Sequence, residues 1–239
     1  SDMDIGGDRT VGLALTYAST KVDQTDAATG NNSRITSVGQ TIYGTQNFGQ
    51  AYVDGMLGLS YHSSDNVRLT ALSRTATSST SALEYSGRIG SGYRFALKDK
   101  LTVTPNVQYT MGQYSQKAYT EAGANSLNLA VNSLSVNRSK LGLGVRVADE
   151  RTTSTGLVFR PEFNIMASRD LNDAAADVTA AFTGGGSTFT TTGQKLSRNS
   201  LDVGTGVVFL QGKTGQVGLN YNLQKREAFT GHSFLVQGR

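Results

Sequence analysis

The sequence predicts an all-β chain that forms a closed antiparallel barrel across a membrane. Three observations predict this fold. Polar and apolar residues alternate along most of the chain, which is the period of a β-strand. The polar positions of those strands carry arginine and glycine together, and tight connections between the strands alternate with long polar ones. Strands with one apolar face and one polar, glycine-containing face suit a wall that separates lipid from a hydrated interior.

The alternation of residues is clearest in the segment that begins at Leu101. Six residues share one parity there, and the intervening positions are Thr, Asn, Gln and Gly: Leu101, Val103, Pro105, Val107, Tyr109 and Met111. Twelve alternating residues span roughly 40 Å at ~3.3 Å per residue, about twice the usual strand length. The same pattern recurs in about ten segments, the first of them at Val11–Tyr17, and helical periodicity is nearly absent.

The two parities predict which side chains face lipid and which face the interior. Ten apolar residues are predicted to face lipid: Leu13, Leu15, Leu101, Val103, Val107, Tyr109, Leu141, Leu143, Val217 and Leu219. Seven charged residues are predicted to face the interior: Glu84, Arg88, Arg94, Arg138, Arg146, Arg160 and Glu162. Glycine weakens a strand, but it fits beside long charged side chains where the inside of a barrel is crowded. The charged set has two interpretations: a lattice of structural salt bridges, which we favour, or the lining of a path for a translocated chain.

The connections between strands alternate in length. The tight ones are at residues 47–50, 97–100, 148–152 and 211–214, and the long polar ones are Asp23–Ser33, Ser63–Thr80, Tyr114–Ser135 and Ser168–Asn199. Outer-membrane barrels have short periplasmic turns and longer external loops. The last long connection is rich in Thr, Gly and Ala, and we expect it to form a hairpin of its own. A short helix at Ala174–Ala181 is the alternative there.

Composition excludes several classes of function. The 239 residues include no cysteine and two histidines, His62 and His232, so disulfide scaffolds, thiol catalysis and cysteine-ligated metals are excluded and no cofactor or metal is expected. We expect His62 to end a strand and His232 to begin the last one, and both to be interfacial or rim residues instead of metal ligands. The net charge of +4 comes from scattered Lys and Arg, so nucleic-acid binding is not indicated. The serine-hydrolase elbow Gly-x-Ser-x-Gly and the phosphate-binding loop are both absent from the sequence.

An ordered series of segments resembles one family. The series comprises residues Gly12–Tyr17, Ala51–Gly55, Leu101–Pro105, Ala118–Gly123, Lys140–Arg146, Val158–Glu162, Leu196–Leu201 and Gly231–Phe234. In order and spacing they resemble the autotransporter translocator domain, the carboxy-terminal barrel of type V secretion proteins. Tyr119-Thr120-Glu121 and Pro161-Glu162 are the most specific parts of this likeness, which covers nearly the whole chain.

The resemblance implies a non-catalytic function in the bacterial outer membrane. It implies a twelve-stranded barrel that anchors an amino-terminal passenger and exports it to the cell surface. The implied partners are outer-membrane lipid, the protein's own passenger, a linker helix that threads the pore, and the barrel-assembly machinery. Some members of the family cut the linker inside the barrel, but Asn31-Asn32 lies in a loop here, so this activity is not carried over.

The chain departs from the family pattern in three ways. About ten strands are clear instead of twelve, no threading helix precedes Val11, and the last strand stops at Arg239 without a terminal aromatic residue. We therefore expect residues 1–239 to form one barrel domain that lacks its first strands, the linker helix and its last residues.

Two other classes of function stay open from the sequence. A general porin shares the predicted fold, and bilayer conductance or a passenger encoded upstream of Ser1 distinguishes the two. A soluble β-sandwich or solenoid adhesin needs no detergent, and a solenoid shows a fixed repeat that this chain lacks.

Overall fold

The structure is a computed structural model that describes residues 2–98, 100–154, 156–172, 175–193, 195, 197–211 and 215–238. Its strands are β1 Asp2–Gly6, β2 Arg9–Asp23, β3 Asn32–Phe48, β4 Ala51–Leu69, β5 Thr75–Tyr93, β6 Phe95–Lys98, β7 Leu101–Gln116, β8 Tyr119–Thr120, β9 Leu129–Val131, β10 Leu134–Ala148, β11 Arg151–Thr152, β12 Val158–Asp170, β13 Asp177–Phe182, β14 Phe189–Thr192, β15 Asn199–Gln211, β16 Gly215–Arg226 and β17 Phe229–Gly238. Two 3-10 helices, Asp26–Ala28 and Asn125–Leu127, lie in connections.

The main sheet follows the order of the chain. Eleven strands pair in the order β1-β2-β3-β4-β5-β7-β10-β12-β15-β16-β17, and the short strands β6 and β11 pair with β7 and β12. Every pair along this path is antiparallel. The prediction of an all-β antiparallel barrel wall is confirmed. Among the described residues β1 and β17 do not pair with each other, so the wall is a half-barrel.

The strands are longer than the alternation of residues predicted. The prediction of a loop at Ser63–Thr80 is wrong, because β4 continues to Leu69 and β5 starts at Thr75. Ser, Thr and Asn occupy both faces of these extensions, so no apolar period marked them as strand. The segment Val11–Tyr17 is not the first strand either, since β1 precedes it. Parts of two predicted tight turns, residues 99 and 212–214, lie outside the described residues, as does Arg239.

Two of the long connections form a second sheet together. The connection after β7 contributes β8 and β9, the connection after β12 contributes β13 and β14, and the order is β14-β13-β9-β8. Ala180 lies opposite Val131, so the two connections are joined by backbone pairing. The predicted hairpin within Ser168–Asn199 is therefore confirmed, and residues 177–181 are strand instead of helix. Residues 173 and 174 lie outside the described part.

The described residues form no packed apolar centre of large side chains. Among the described residues, the buried apolar side chains are small or β-branched: Ala76, Ala82, Ala124, Val131 and Ala180. Large apolar side chains are exposed on one face of the main sheet instead. No helix in the described part of the chain is long and apolar enough to cross a membrane.

Candidate functional site

The candidate site is the polar face of the main sheet, and strand register defines it. Gln108 of β7 lies opposite Gly90 of β5 and Gly142 of β10, while its neighbour Val107 lies opposite Ser91 and Leu143. Directly opposite residues in a sheet point to the same side. Following the register from strand to strand places Glu84, Arg88, Arg138, Arg146, Arg160 and Glu162 on the face of Gln108. We call this side the inner face and the side of Val107 the outer face.

The ten residues predicted to face lipid all lie on the outer face. Eight of them are exposed, with Leu15 80% and Leu143 63% accessible. Leu101 and Val103 are only half-exposed. Phe95 of the short strand β6 lies directly opposite Val103, which explains its lower exposure.

The apolar part of the outer face has a definite height. In β4 it runs from Ala51 to Tyr61, an interval of ten residues. Ten residues at ~3.3 Å, tilted about 40°, give a height of about 25 Å, the apolar height of outer-membrane barrels. Beyond Tyr61 the outer positions of β4 become Ser63 and Asp65.

Aromatic residues mark both ends of this apolar band. At the end nearer the long connections, Tyr17, Val38, Tyr61 and Leu83 form one row across β2 to β5, and both tyrosines are more than half exposed. At the end nearer the short turns the exposed aromatic residues are Phe48, Tyr93 and Phe95. Aromatic girdles at both interfaces are typical of membrane barrels.

The inner face of β4 and β5 carries an ionic and aromatic network in its half nearer the short turns. The Arg88 guanidinium donates to Asp54 at 3.1 Å, and the Arg94 guanidinium lies 4.6 Å from the ring centroid of Tyr52 while donating to Asn47 at 2.9 Å. A groove of about 550 Å³ runs along these side chains. It is bordered by charged, amide and hydroxyl groups, so water is the natural content of this side of the sheet.

At the short-turn end, the inner face carries a second group of ion pairs. Arg146 pairs with Glu162, and Glu150 accepts hydrogen bonds from Lys100 and, at 3.2 Å, from Arg160. The bonds from Lys100 and then Arg160 hold the pKa of the Glu150 carboxyl below its usual value. Five of the seven predicted interior charges, those at 88, 138, 146, 160 and 162, therefore have an oppositely charged partner.

At the long-connection end, arginines converge on a buried carboxylate. Asp170 accepts from Arg226 at 2.7 Å and from Arg138 at 3.3 Å, and Arg226 is only 5% exposed. The Arg198 guanidinium also donates to the Asp170 backbone carbonyl at 3.0 Å. This group joins β10, β12 and β16 just below the start of the 171–198 connection.

A buried salt bridge attaches the β7–β10 connection to the inner face. The Arg68 guanidinium of β4 donates through two nitrogens to Glu121, whose side chain is 7% exposed. Arg68 also donates to the carbonyl of Leu127 at 2.9 Å, and Glu121 accepts from the Leu129 amide at 2.8 Å. Glu121 belongs to the most specific segment of the sequence resemblance, yet its partner, 53 residues away, could not be predicted.

Sequence reasoning also missed a hydrogen-bonded trio on the inner face. His62 lies inside β4, so the prediction that it ends a strand is wrong; it follows Tyr61 at the edge of the apolar band. Its Nδ1 lies 2.8 Å from the Ser37 hydroxyl, and its Nε2 lies 3.0 Å from Glu84. His232 lies on the outer face, where its Nδ1 is 2.8 Å from the Tyr221 hydroxyl.

Tyrosine rings cover glycines across neighbouring inner strands. A Cβ atom at Gly12 would lie 2.3 Å from the Tyr43 ring. A Cβ atom at Gly92 would lie 2.7 Å from the Tyr52 ring and 2.9 Å from the backbone oxygen of Pro105. These glycines are needed because a ring or a carbonyl occupies the space of a side chain, as the crowded polar face predicted.

Comparison with known families identifies this arrangement. The autotransporter β-domain family matches residues 1–222. The chain belongs to this family. The sequence resemblance is thus confirmed, and the chain is an autotransporter β-domain of the bacterial outer membrane.

Solved structures share the fold of this β-domain. The translocator domain of the autotransporter NalP from Neisseria meningitidis superimposes with a TM-score of 0.77 at 17% identity, covering 99% of this chain and 76% of that one. The β domain of the Bordetella autotransporter BrkA gives a TM-score of 0.70 at 14% identity, covering 99% of this chain and 84% of that one. At such low identity these likenesses establish the fold.

Sequence relatives carry the same type of domain within much longer chains. Outer membrane protein A of Rickettsia conorii is 25% identical over 228 residues, which are 91% of this chain and 11% of that protein. Outer membrane protein B of Rickettsia prowazekii is 20% identical over 238 residues, covering 96% of this chain and 14% of that protein. The chain therefore spans about a tenth of the length of the curated relatives it matches.

Proposed function

We propose that the inner face of this β-domain is the wall of a hydrated conduit for its passenger, and that the outer face contacts lipid. The observation that carries the proposal is the segregation of side chains on shared strands. Strands β4, β5, β10 and β12 present the ~25 Å apolar band on one side and ion pairs on the other. Because most of these charges are mutually paired, few unbalanced charges remain to bind an unfolded chain.

The open edges of the half-barrel are part of this proposal. An unpaired strand edge in hydrocarbon leaves backbone N–H and C=O groups unsatisfied, which only closure remedies. We therefore infer that the edges of β1 and β17 are paired in the membrane, and that residues 1–239 belong to a single barrel domain inserted by the barrel-assembly machinery.

Cysteine labelling tests the two faces, because the sequence contains no cysteine of its own. Val107→Cys and Gln108→Cys place a unique thiol on adjacent residues of β7 with opposite facing. In outer membranes, a water-soluble maleimide should label Cys at 108 and not at 107, whereas a lipid-soluble maleimide should label 107. Equal labelling of both by the soluble reagent would refute the membrane orientation.

Passage of the passenger is tested with the same Gln108→Cys variant of the full-length protein. A passenger arrested during export should protect the thiol at 108 and form a disulfide with a cysteine placed in the arrested segment. A thiol on the outer face, Leu143→Cys, is the matched control and should not cross-link. Cross-linking of the control in preference to 108 would contradict a conduit along the inner face.

We also propose that the domain has no catalytic activity, including at the Ser37–His62–Glu84 trio. β3 is paired on both sides, with β2 and β4. Its amides are therefore committed to the sheet and cannot form the oxyanion hole that acyl transfer requires. Ser37→Ala should leave passenger display unchanged, and a fluorophosphonate probe should not label the wild-type protein. Labelling that disappears in Ser37→Ala would contradict this.

A further inference from the structure

The outer face contains an apolar groove that the translocator function does not explain. Three glycines, Gly44, Gly55 and Gly87, interrupt the apolar rows of β3, β4 and β5. The groove measures about 1000 Å³, and its walls are almost entirely apolar: Leu13, Ile42, Leu57, Ile89, Tyr109 and Met111. Gly44 and Gly55 form the floor of the groove because no side chain rises from their positions, whereas the Met111 side chain covers Gly87.

Backbone geometry does not require glycine at the centre of this floor. Gly44 and Gly55 are direct cross-strand partners, and Gly55 lies opposite Ile89. Gly55 has no positive φ, and a Cβ atom there would meet only the Arg88 backbone oxygen, at an ordinary 3.6 Å. Glycine inside a strand weakens it. The structural effect of Gly55 is therefore to leave the space above the strand empty.

One cation stands at the short-turn end of the groove. Arg9 is exposed and lines the groove. It lies directly opposite Gln46, and the Arg9 Nε donates a hydrogen bond to the side-chain oxygen of Gln46. Phe48, two residues beyond Gln46 on the same outer face, is one of the aromatic residues that mark this end of the apolar band. Arg9 thus lies near the membrane interface, where a guanidinium fork suits a phosphate group.

We propose that the groove binds an anionic phospholipid, with one acyl chain above the glycine floor and the phosphate on Arg9. The inference rests on the lipid-facing orientation in the proposed function. Charge complementarity favours this occupant, because an apolar groove with the Arg9 guanidinium at its interfacial end matches an amphiphile with an anionic head group. Lipid tails are as apolar as the groove walls, so binding depends on shape and on the phosphate contact.

Native mass spectrometry of protein extracted from outer membranes in mild detergent tests the proposal. The wild type should retain one phospholipid, identified by its mass and after extraction. Gly55→Leu, which fills the floor, and Arg9→Gln, which removes the cation, should each lower the bound fraction at least tenfold. Ala167→Leu and Arg169→Gln are the control variants: they add apolar bulk and remove a cation on the outer face of β12, and both should retain the lipid.

The alternatives are separate outcomes of the same measurement. If the wild type, Gly55→Leu and Arg9→Gln retain phospholipid equally, the lipid is ordinary surrounding lipid and the proposed site is refuted. A polypeptide bound in place of the phospholipid also refutes it. Heat-modifiable mobility on gels verifies the assembly of each variant. If Gly55→Leu does not assemble, the result for Arg9→Gln alone tests the lipid site. Labelling at 107 and 108 separates the two proposals: correct labelling without bound lipid refutes only the lipid site.

Discussion

Leu143→Arg is the most direct perturbation of the membrane-facing surface. Leu143 is 63% exposed on the outer face of β10, opposite Val107, near the middle of the apolar band. A charged residue at the midplane of a membrane barrel destabilises it by about 2–4 kcal/mol, with Arg at the upper end. Val107→Arg should behave in the same way, because the two residues share a register position.

Asn137→Arg is the matched control on the same strand and the same face. Asn137 is six residues from Leu143 toward the long connections. Six residues at ~3.3 Å and a tilt of about 40° give a displacement of about 15 Å, beyond half of the ~25 Å band. The same substitution should therefore cost about 0–1 kcal/mol there.

The difference between the two variants, about 2–3 kcal/mol, is a factor of roughly 30–150 in the folding equilibrium. Reversible guanidinium unfolding in lipid vesicles measures it. The chain has no tryptophan, so circular dichroism and gel mobility are the suitable signals. Equal stability of the two variants, or an unchanged Leu143→Arg protein, would refute the assigned facing.

Three further predictions concern the inner face and the connections. Gly92→Ala should destabilise by about 1–3 kcal/mol because a ring and a carbonyl occupy the space of the new methyl group, whereas Gly55→Ala should stabilise by about 0.5–1 kcal/mol; thermal unfolding compares them. Glu121→Gln should lower the stability by about 1–3 kcal/mol and speed proteolysis of the 117–133 connection. Glu84→Gln changes a more exposed carboxylate and should leave the proteolysis rate unchanged. Equal rates in the two variants would contradict a role for the Arg68–Glu121 salt bridge in holding this connection. The folded-state pKa of Glu150 lies below its ordinary 4.5. The ionised carboxylate therefore stabilises the fold fully above pH 4.5, and this stabilisation is lost as the pH falls through the folded-state pKa. Glu150→Gln should flatten this part of a curve of unfolding free energy against pH.

The strand pattern predicted the facing of the wall but not its full extent. Every charged position assigned within β5, β10 and β12 lies on the inner face, because a period of two leaves only one alternative for each strand. The extensions at Ser63–Leu69 and Thr75–Ser81 were missed because Ser, Thr and Asn are spread over both of their faces. Without an apolar side the residues carry no period, and Ser and Thr then resemble a loop.

The contacts of the long connections could not be predicted for a different reason. The Arg68–Glu121 bridge and the pairing of β9 with β13 join segments about 50 residues apart. Each partner alone is an ordinary polar or small residue. The same limit applies to the Ser37–His62–Glu84 trio, since three residue types at unrelated spacings carry no local pattern.

The shared sheet of the two connections has a consequence for molecular recognition at that end of the protein. Ala130 and Ala181 lie opposite each other, so its surface is made by two stretches of polypeptide held in one ladder. An antibody raised against this surface recognises a discontinuous epitope that contains residues from both connections. A linear peptide copied from either stretch presents half of the contacts and none of the backbone order that positions them.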